Sequence, residues 1–120
     1  MTFDQILLNI EEGKIAPIYF LYGPESFYRV EVVQALRQKL ITFDNKDFNL
    51  ENFEAKETSV GDWIKAARTL SFVGGIKLII VRNLYESTLK DSEQKILLDY
   101  VADPVPDSCF VITSDKADRK

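Results

Sequence analysis

Four apolar runs separated by helix-type patterns constrain the fold of this chain more than any other feature. The strongest is Ile76-Lys-Leu-Ile-Ile-Val81, a β-branched run typical of a strand buried on both faces. The others cover 17–22, 48–53 and 108–113, and only 48–53 mixes polar with apolar residues, which predicts a strand nearer the sheet edge. Because strands and helices alternate, the sequence predicts an α/β fold, a doubly wound and mostly parallel sheet with helices on both faces.

Helical spacing of apolar residues predicts four helices around these strands. They cover 3–12, 25–41, a stretch that begins after a cap at Ser59 or Thr58, and a stretch that begins at Asp91 with Gln94 in the capping-box position. Residues 42–47 are expected to form a polar loop. The inward positions expected on the last three helices are Val30, Val33, Leu36, Leu40 and Ile41, then Val60, Trp63, Ile64, Ala67 and Leu70, then Ile96, Leu97, Tyr100 and Val101.

The composition excludes several kinds of chemistry. The 120 residues carry a net charge of −4 and include no histidine, which argues against a nucleic-acid surface and removes imidazole metal sites and histidine-based catalysis. The single cysteine, Cys109, lies in an apolar run and is expected in the core, as suits a reducing cytoplasm. No apolar run is long enough to predict a membrane span. Carboxylate pairs such as Glu51 and Glu54 are interpreted as solvated charge.

The junction between the first strand and the next helix has the frame of a phosphate-binding loop without its chemistry. A working P-loop reads G-x-x-x-x-G-K-[ST], in which the lysine reaches the phosphates and the hydroxyl holds Mg²⁺. Counted from Gly23, the last three places hold Tyr28, Arg29 and Val30. Tyr28 would fill the space that the phosphates need, and Val30 cannot ligate a metal. The sequence therefore predicts a degenerate loop that does not bind nucleotide.

The second nucleotide-binding element is also incomplete. A Walker B strand ends in an acidic residue that holds Mg²⁺, whereas Val81 is followed by Arg82 and Asn83. Right-handed crossovers would bring Gly23, Asn83 and Thr113 together at the carboxyl ends of the strands. With two defective motifs meeting at one edge, we predict neither ATPase activity nor a bound metal or cofactor.

Two large apolar residues, Phe72 and Val73, lie just before Gly74-Gly75 and beyond the last expected inward position, Leu70. A helix tip that ends in a diglycine is a natural place for an exposed apolar anchor, and a few such anchors dominate interface energies. The alternative is that Phe72 packs beneath the sheet as ordinary core. The residues alone leave both interpretations open.

Several stretches of the chain together resemble one family. They are Leu21-Tyr-Gly23-Pro-Glu25 against L-x-G-x-E, 67–75 against A-x-x-L-P-F-F-G, the strand 76–83 ending in Arg-Asn, Leu98-x-Tyr100-x-x-x-Pro104, and the final strand with its K-x-D-x-R-K segment at 111–120. In this order they resemble the N-terminal part of the delta subunit of the bacterial DNA polymerase III clamp loader. Ser71 replaces the usual proline, and Val73 replaces a bulkier residue.

The resemblance implies a three-layer P-loop NTPase fold of the AAA+/RecA-like kind with degenerate nucleotide motifs. Residues 1–120 would form the subunit's N-terminal domain, cut near its end and lacking the later lid and collar domains. The implied role is to bind the ring-shaped sliding clamp (beta subunit) and favour its opening, through Leu70, Phe72 and Val73. The other implied partners are the remaining loader subunits and, indirectly, DNA.

Two other functions compete with this one. The first is a divergent P-loop ATPase in which Arg29 replaces the lysine, although arginine fits that tight cradle poorly and Val30 still lacks the hydroxyl. The second is an α/β interaction module with an unrelated partner.

Overall fold

A computed structural model describes residues 2–22, 26–84 and 89–114 of the chain. Strands and helices alternate through this part as predicted. The helices are α1 (Phe3–Glu11), α2 (Ser26–Leu40), α3 (Lys46–Asn49), α4 (Val60–Arg68) and α5 (Asp91–Ala102), with a 3₁₀ turn at Ala55–Glu57. The strands are β1 (Ile18–Tyr22), β2 (Leu50–Glu54), β3 (Lys77–Arg82) and β4 (Ser108–Ser114).

The four strands form one sheet in the order β1-β4-β3-β2, and every neighbouring pair is parallel. The predicted parallel α/β sheet is therefore confirmed, and so is the edge position of the strand that mixes polar and apolar residues, β2. The two central strands align Ile79 with Phe110 and Val81 with Ile112. Both carry almost continuous apolar runs because each is covered on both faces.

Helices cover both faces of the sheet and enclose two apolar cores. Alternate residues of β3 divide between them: Ile79 and Val81 pack with α4 and α5, whereas Leu78 and Ile80 pack with α1 and α2. Trp63 and Tyr100 are the largest fully buried side chains of the first core. The chain thus has three layers. Because the strands are parallel, their first residues lie together at one end of the sheet, which we call the amino edge, and their last residues at the other end, the carboxyl edge.

Local signals set several helix ends where the sequence placed them. Ser59 caps α4: its Oγ accepts from the amide of Asp62 at 3.3 Å, and the Asp62 carboxylate accepts from the Ser59 amide at 3.1 Å. Gly13, just past α1, has φ +84°, a left-handed conformation that glycine adopts readily. These caps fix where α1 stops and α4 starts.

Other boundaries differ from the predicted ones. Residues 46–49 are helical, so β2 begins at Leu50 rather than at Phe48. Helix α4 ends at Arg68, which leaves Leu70 outside the helix and exposed rather than inward. Helix α5 begins at Asp91 as predicted, but its capping residue is Lys90, whose amide donates to the Glu93 carboxylate at 3.3 Å rather than to Gln94. Each difference involves one to four residues at an end, where neighbouring segments compete with local propensity.

Three positions predicted to face inward are exposed. They are Val30 on α2 and Ile96 and Val101 on α5. Helical periodicity alone assigns an apolar stripe wider than the surface that the sheet covers. No helix in the described part of the chain is long and apolar enough to cross a membrane.

Candidate functional site

The segment between α4 and β3, residues 69–75, forms an exposed apolar tip at the amino edge of the sheet. Phe72 is 94% exposed, Leu70 75% and Val73 52%. An aromatic ring so fully in water contributes nothing to the core, so the interpretation of Phe72 as core is wrong. The three residues predicted as an anchor therefore lie together on one accessible segment.

Buried polar side chains fix the end of the helix that carries this tip. The last carbonyls of an α-helix have no intrahelical partner. In α4, Lys77 Nζ donates to the Ala66 carbonyl at 2.8 Å, Ser108 Oγ donates to that of Ala67 at 2.5 Å, and Thr69 Oγ1 donates to that of Lys65 at 2.7 Å. Lys77 and Ser108 are themselves buried, and they begin the two central strands. The tip thus starts from a helix end bonded directly to the sheet.

A third buried polar residue, Asn49 of α3, bonds the tip itself. Its Nδ2 donates to the Gly74 carbonyl at 2.9 Å, and its Oδ1 accepts from the Ser71 hydroxyl. The Ser71 oxygen in turn accepts from the Val73 amide at 3.1 Å. These contacts lie on both sides of Phe72 in the chain, so they fix the backbone that presents its ring.

Phe72 makes one aromatic contact, with Phe48 of α3. The ring centroids are 6.3 Å apart and the planes are nearly perpendicular, at 89°. This edge-to-face geometry is favourable for aromatic pairs. Phe48 is itself 46% exposed, so the two rings form a continuous apolar surface.

Gly74 and Gly75 complete the turn, with φ of +80° and +81°. Two successive left-handed residues are accessible to glycine with little strain. A Cβ on Gly75 would lie 3.5 Å from Asn49 Nδ2, an ordinary contact, so backbone conformation rather than space requires glycine there. The diglycine is therefore part of a defined turn.

At the opposite, carboxyl edge, the strand ends surround an open cleft of about 500 Å³. Asn83 and Thr113 both line it, which confirms their predicted meeting, and the Leu84 amide donates to the Thr113 carbonyl at 3.0 Å. Gly23 lies outside the described residues. Arg29, Arg37 and Arg82 also line the cleft, whereas no carboxylate does among the described residues.

The residues of the degenerate loop take different positions. Val30 and Arg29 line the cleft, whereas Tyr28 packs edge-on against Phe3 of α1, with ring centroids 4.6 Å apart. Tyr28 is not among the described residues that line the cleft, so its ring packs on α1 instead of filling the phosphate space as predicted. Val30, at the Ser/Thr place of a working loop, has no hydroxyl that could ligate magnesium.

The end of β3 is occupied by a charged network. Arg82 lies 3.6 Å from the Glu54 carboxylate, and Asn83 Nδ2 donates to the same carboxylate at 3.1 and 3.3 Å. Asn83 has φ +61°, which asparagine tolerates better than most side chains. Glu54 therefore binds its neighbours rather than being simply solvated as predicted, and Glu51 likewise pairs with buried Lys77 at 3.2 Å.

The sequence predicted Leu70, Phe72 and Val73 as the anchor, and the structure places them on an exposed segment, but sequence reasoning missed the residues that support them. Phe48 and Asn49 were both assigned to the mixed edge strand over 48–53. Asn49 and Ser71 are 22 residues apart in the chain, and no local pattern announces a contact at that separation. The only sequence signal for this contact was that Asn49 is a polar residue near the junction of the predicted loop and the predicted edge strand.

Comparison with known proteins identifies the class to which this fold and site belong. A family model described as DNA polymerase III, delta subunit, matches residues 19–120. The chain is 33% identical to DNA polymerase III subunit delta of Bacillus subtilis (strain 168), with all of the chain and 37% of that relative covered. It also superposes on the Bacillus subtilis DNA clamp loader delta protein with a TM-score of 0.85 and 28% identity, over 98% of this chain and 36% of that one.

The chain therefore belongs to the DNA polymerase III delta subunit family, whose members are components of the clamp loader. The resemblance noted from the sequence motifs is confirmed. The chain spans a little over a third of the length of these relatives.

Proposed function

We propose that this chain is the clamp-binding, AAA+-type domain of a clamp-loader delta subunit. Its tip binds the sliding clamp (beta subunit), and that contact favours opening of one interface of the ring for loading onto primed DNA. The observation that carries the proposal is the exposure of Phe72, together with Leu70 and Val73, on a segment whose backbone is hydrogen-bonded to the rest of the domain. The other loader subunits and DNA would be reached through the assembled complex.

The domain acts without hydrolysing ATP in this proposal. Hydrolysis needs a lysine and a hydroxyl on the phosphate loop and a carboxylate that holds Mg²⁺. The positions that would supply them carry Arg29, Val30 and Arg82, and the nearby Glu54 carboxylate is engaged by Arg82 and Asn83. Binding of the clamp, rather than chemistry, is then the activity of this part of the subunit.

Calorimetric titration of the chain with the sliding clamp of its own organism tests the proposal. Phe72→Ala should weaken binding by about 2–4 kcal/mol, or roughly 30- to 1,000-fold, because a central aromatic anchor is lost. Phe43→Ala is the matched control, since Phe43 is also highly exposed (84%) but lies outside the tip. It should bind like the parent.

Equal weakening by both phenylalanine variants would mean nonspecific contact and would contradict the assigned site. Binding by the parent that Phe72→Ala leaves unchanged would keep the clamp as partner but move the site elsewhere. A folded parent that does not bind the clamp would favour the interaction module with another partner.

A further inference from the structure

The short helix α3 lies beside the tip and contributes two neighbouring residues to it, one apolar and exposed, the other polar and buried. Phe48 presents its ring to Phe72, and Asn49 bonds the Ser71 hydroxyl on one side of Phe72 and the Gly74 carbonyl on the other. Neither residue belongs to the segment that was predicted to bind the clamp. The geometry thus joins two segments about 25 residues apart into one surface.

We infer that α3 is part of the clamp-binding site, with Phe48 as a second apolar anchor and Asn49 as a positioning residue that holds the tip in its binding conformation. The inference rests on the proposed function, because it names further residues of the same site. The partner of this surface is the sliding clamp, which would receive Phe72 in an apolar pocket.

Asn49 is suited to a positioning role by its burial and its hydrogen bonds. The side chain is completely buried, and both ends of its amide are satisfied by the tip: Nδ2 by the Gly74 carbonyl and Oδ1 by the Ser71 hydroxyl. A buried amide whose partners are all supplied by one loop couples that loop to the domain, because breaking the contacts leaves polar atoms unsatisfied. The tip is therefore ordered before a partner arrives, which reduces the entropy lost on binding.

Phe48 extends the apolar surface of the tip. Its ring is half exposed and lies edge-to-face with the exposed ring of Phe72. A pocket that takes up the Phe72 ring would approach the perpendicular Phe48 ring at the same time, because the centroids are only 6.3 Å apart. Removing Phe48 takes away contact area and the edge-to-face partner that orients Phe72.

The first experiment measures the order of the tip and needs no clamp. Amide hydrogen exchange at Val73 and the residues after it should accelerate in Asn49→Ala, because the Val73 amide bonds to the hydroxyl that Asn49 holds. Ser71→Ala removes the hydroxyl bonded by Asn49 and serves if Asn49→Ala fails to fold. It is read only at the residues after Val73, because it removes the acceptor of the Val73 amide directly. Unchanged exchange in the folded variant would overturn the positioning role.

The second experiment is a double-mutant cycle in clamp affinity. Asn49→Ala should weaken binding by about 2- to 10-fold when Phe72 is present and have no further effect in Phe72→Ala, because Asn49 acts through the ring it positions. Phe48→Ala should weaken binding by about 5- to 30-fold. Leu98→Ala, at an exposed apolar residue of α5 outside the tip and α3, is the control and should leave affinity unchanged.

The outcomes separate this inference from the proposed function. If Phe72→Ala loses binding but Phe48→Ala does not, the proposed function stands and Phe48 is not an anchor. If Asn49→Ala weakens binding equally with and without Phe72, its effect is general and the positioning role is wrong. If the parent does not bind the clamp, the proposed function and the Phe48 anchor both fail, while the exchange result still decides whether Asn49 orders the tip.

Discussion

The two edges of the sheet present opposite kinds of surface. At the amino edge, buried polar side chains from α3, β3 and β4 hold a segment whose apolar residues face water. At the carboxyl edge, where parallel α/β sheets commonly bind ligands, arginines and amides line an open cleft, and Glu54 is bound to Arg82 and Asn83. One edge thus presents a polar cleft lined by arginines, and the other an apolar surface held by buried hydrogen bonds.

In the proposed function, the domain binds its partner through the amino edge rather than at the carboxyl edge, where parallel α/β sheets commonly bind ligands. Exposed phenylalanine is unfavourable in water, and a mobile one would also lose entropy on binding. The buried hydrogen bonds that hold the tip reduce the entropy lost on binding and leave the Phe72 ring accessible. The buried contacts of the amino edge should therefore matter more to stability than the exposed network of the carboxyl edge.

The largest effect is expected from Lys77→Ala at the amino edge. Lys77 is buried, and its loss leaves the Ala66 carbonyl without its side-chain donor and creates a void along β3. We expect the free energy of unfolding to fall by about 2–4 kcal/mol. Urea denaturation followed by the fluorescence of Trp63, the only tryptophan, measures it. Lys65→Ala, a change of an exposed lysine on α4, should shift stability by less than about 0.5 kcal/mol.

A smaller effect is expected from Asn83→Ala at the carboxyl edge. The left-handed backbone of Asn83 disfavours alanine, and the bonds to Glu54 are lost, so stability should fall by about 1–2 kcal/mol. Asn83→Gly, which tolerates the backbone, should recover part of that loss. If Asn83→Ala destabilises the domain more than Lys77→Ala does, the proposed difference between the edges is reversed.

The free energy of unfolding should depend modestly on pH because of a buried thiol in the strand core, between the two edges. Burial in β4 raises the pKa of the Cys109 thiol from 9.0 to about 12. The unfolded thiol ionises above pH 9 while the buried one stays neutral, so its contribution to stability is complete below pH 9 and is lost as pH rises towards 12.

Comparison with Cys109→Ala measures this effect, because the half-buried Tyr19 and the buried Tyr100, whose pKa values are also raised, mainly by desolvation, remain in both proteins. The variant also removes the smaller contribution that Cys109 makes to those two shifts. The parent should lose stability more steeply than the variant in denaturation measured across this alkaline range. Parallel curves would contradict the assignment to Cys109.

The smallest effect, none, is expected from ATP and Mg²⁺ at the carboxyl edge. A ligand that binds the folded state at 100 times its Kd stabilises it by about 2.7 kcal/mol, which a thermal melt detects easily. We expect the melting temperature to stay unchanged with millimolar nucleotide. A clear rise that Arg29→Ala abolishes would restore the divergent ATPase as a candidate and would show that the cleft remains a nucleotide site.

Local patterns in the sequence were enough to predict the order of the four strands and the four longer helices, the edge position of β2 and the cap at Ser59, and they carry the prediction that the nucleotide motifs are degenerate. These follow from patterns within a few residues: alternation, helical spacing, capping pairs and the presence or absence of one functional group. Tertiary structure alone decided that Phe72 is exposed, that Asn49 is buried beneath it, and that Glu54 binds Arg82. Those facts depend on which distant segments come into contact and on how much of an apolar stripe the sheet can cover. Local periodicity specifies neither.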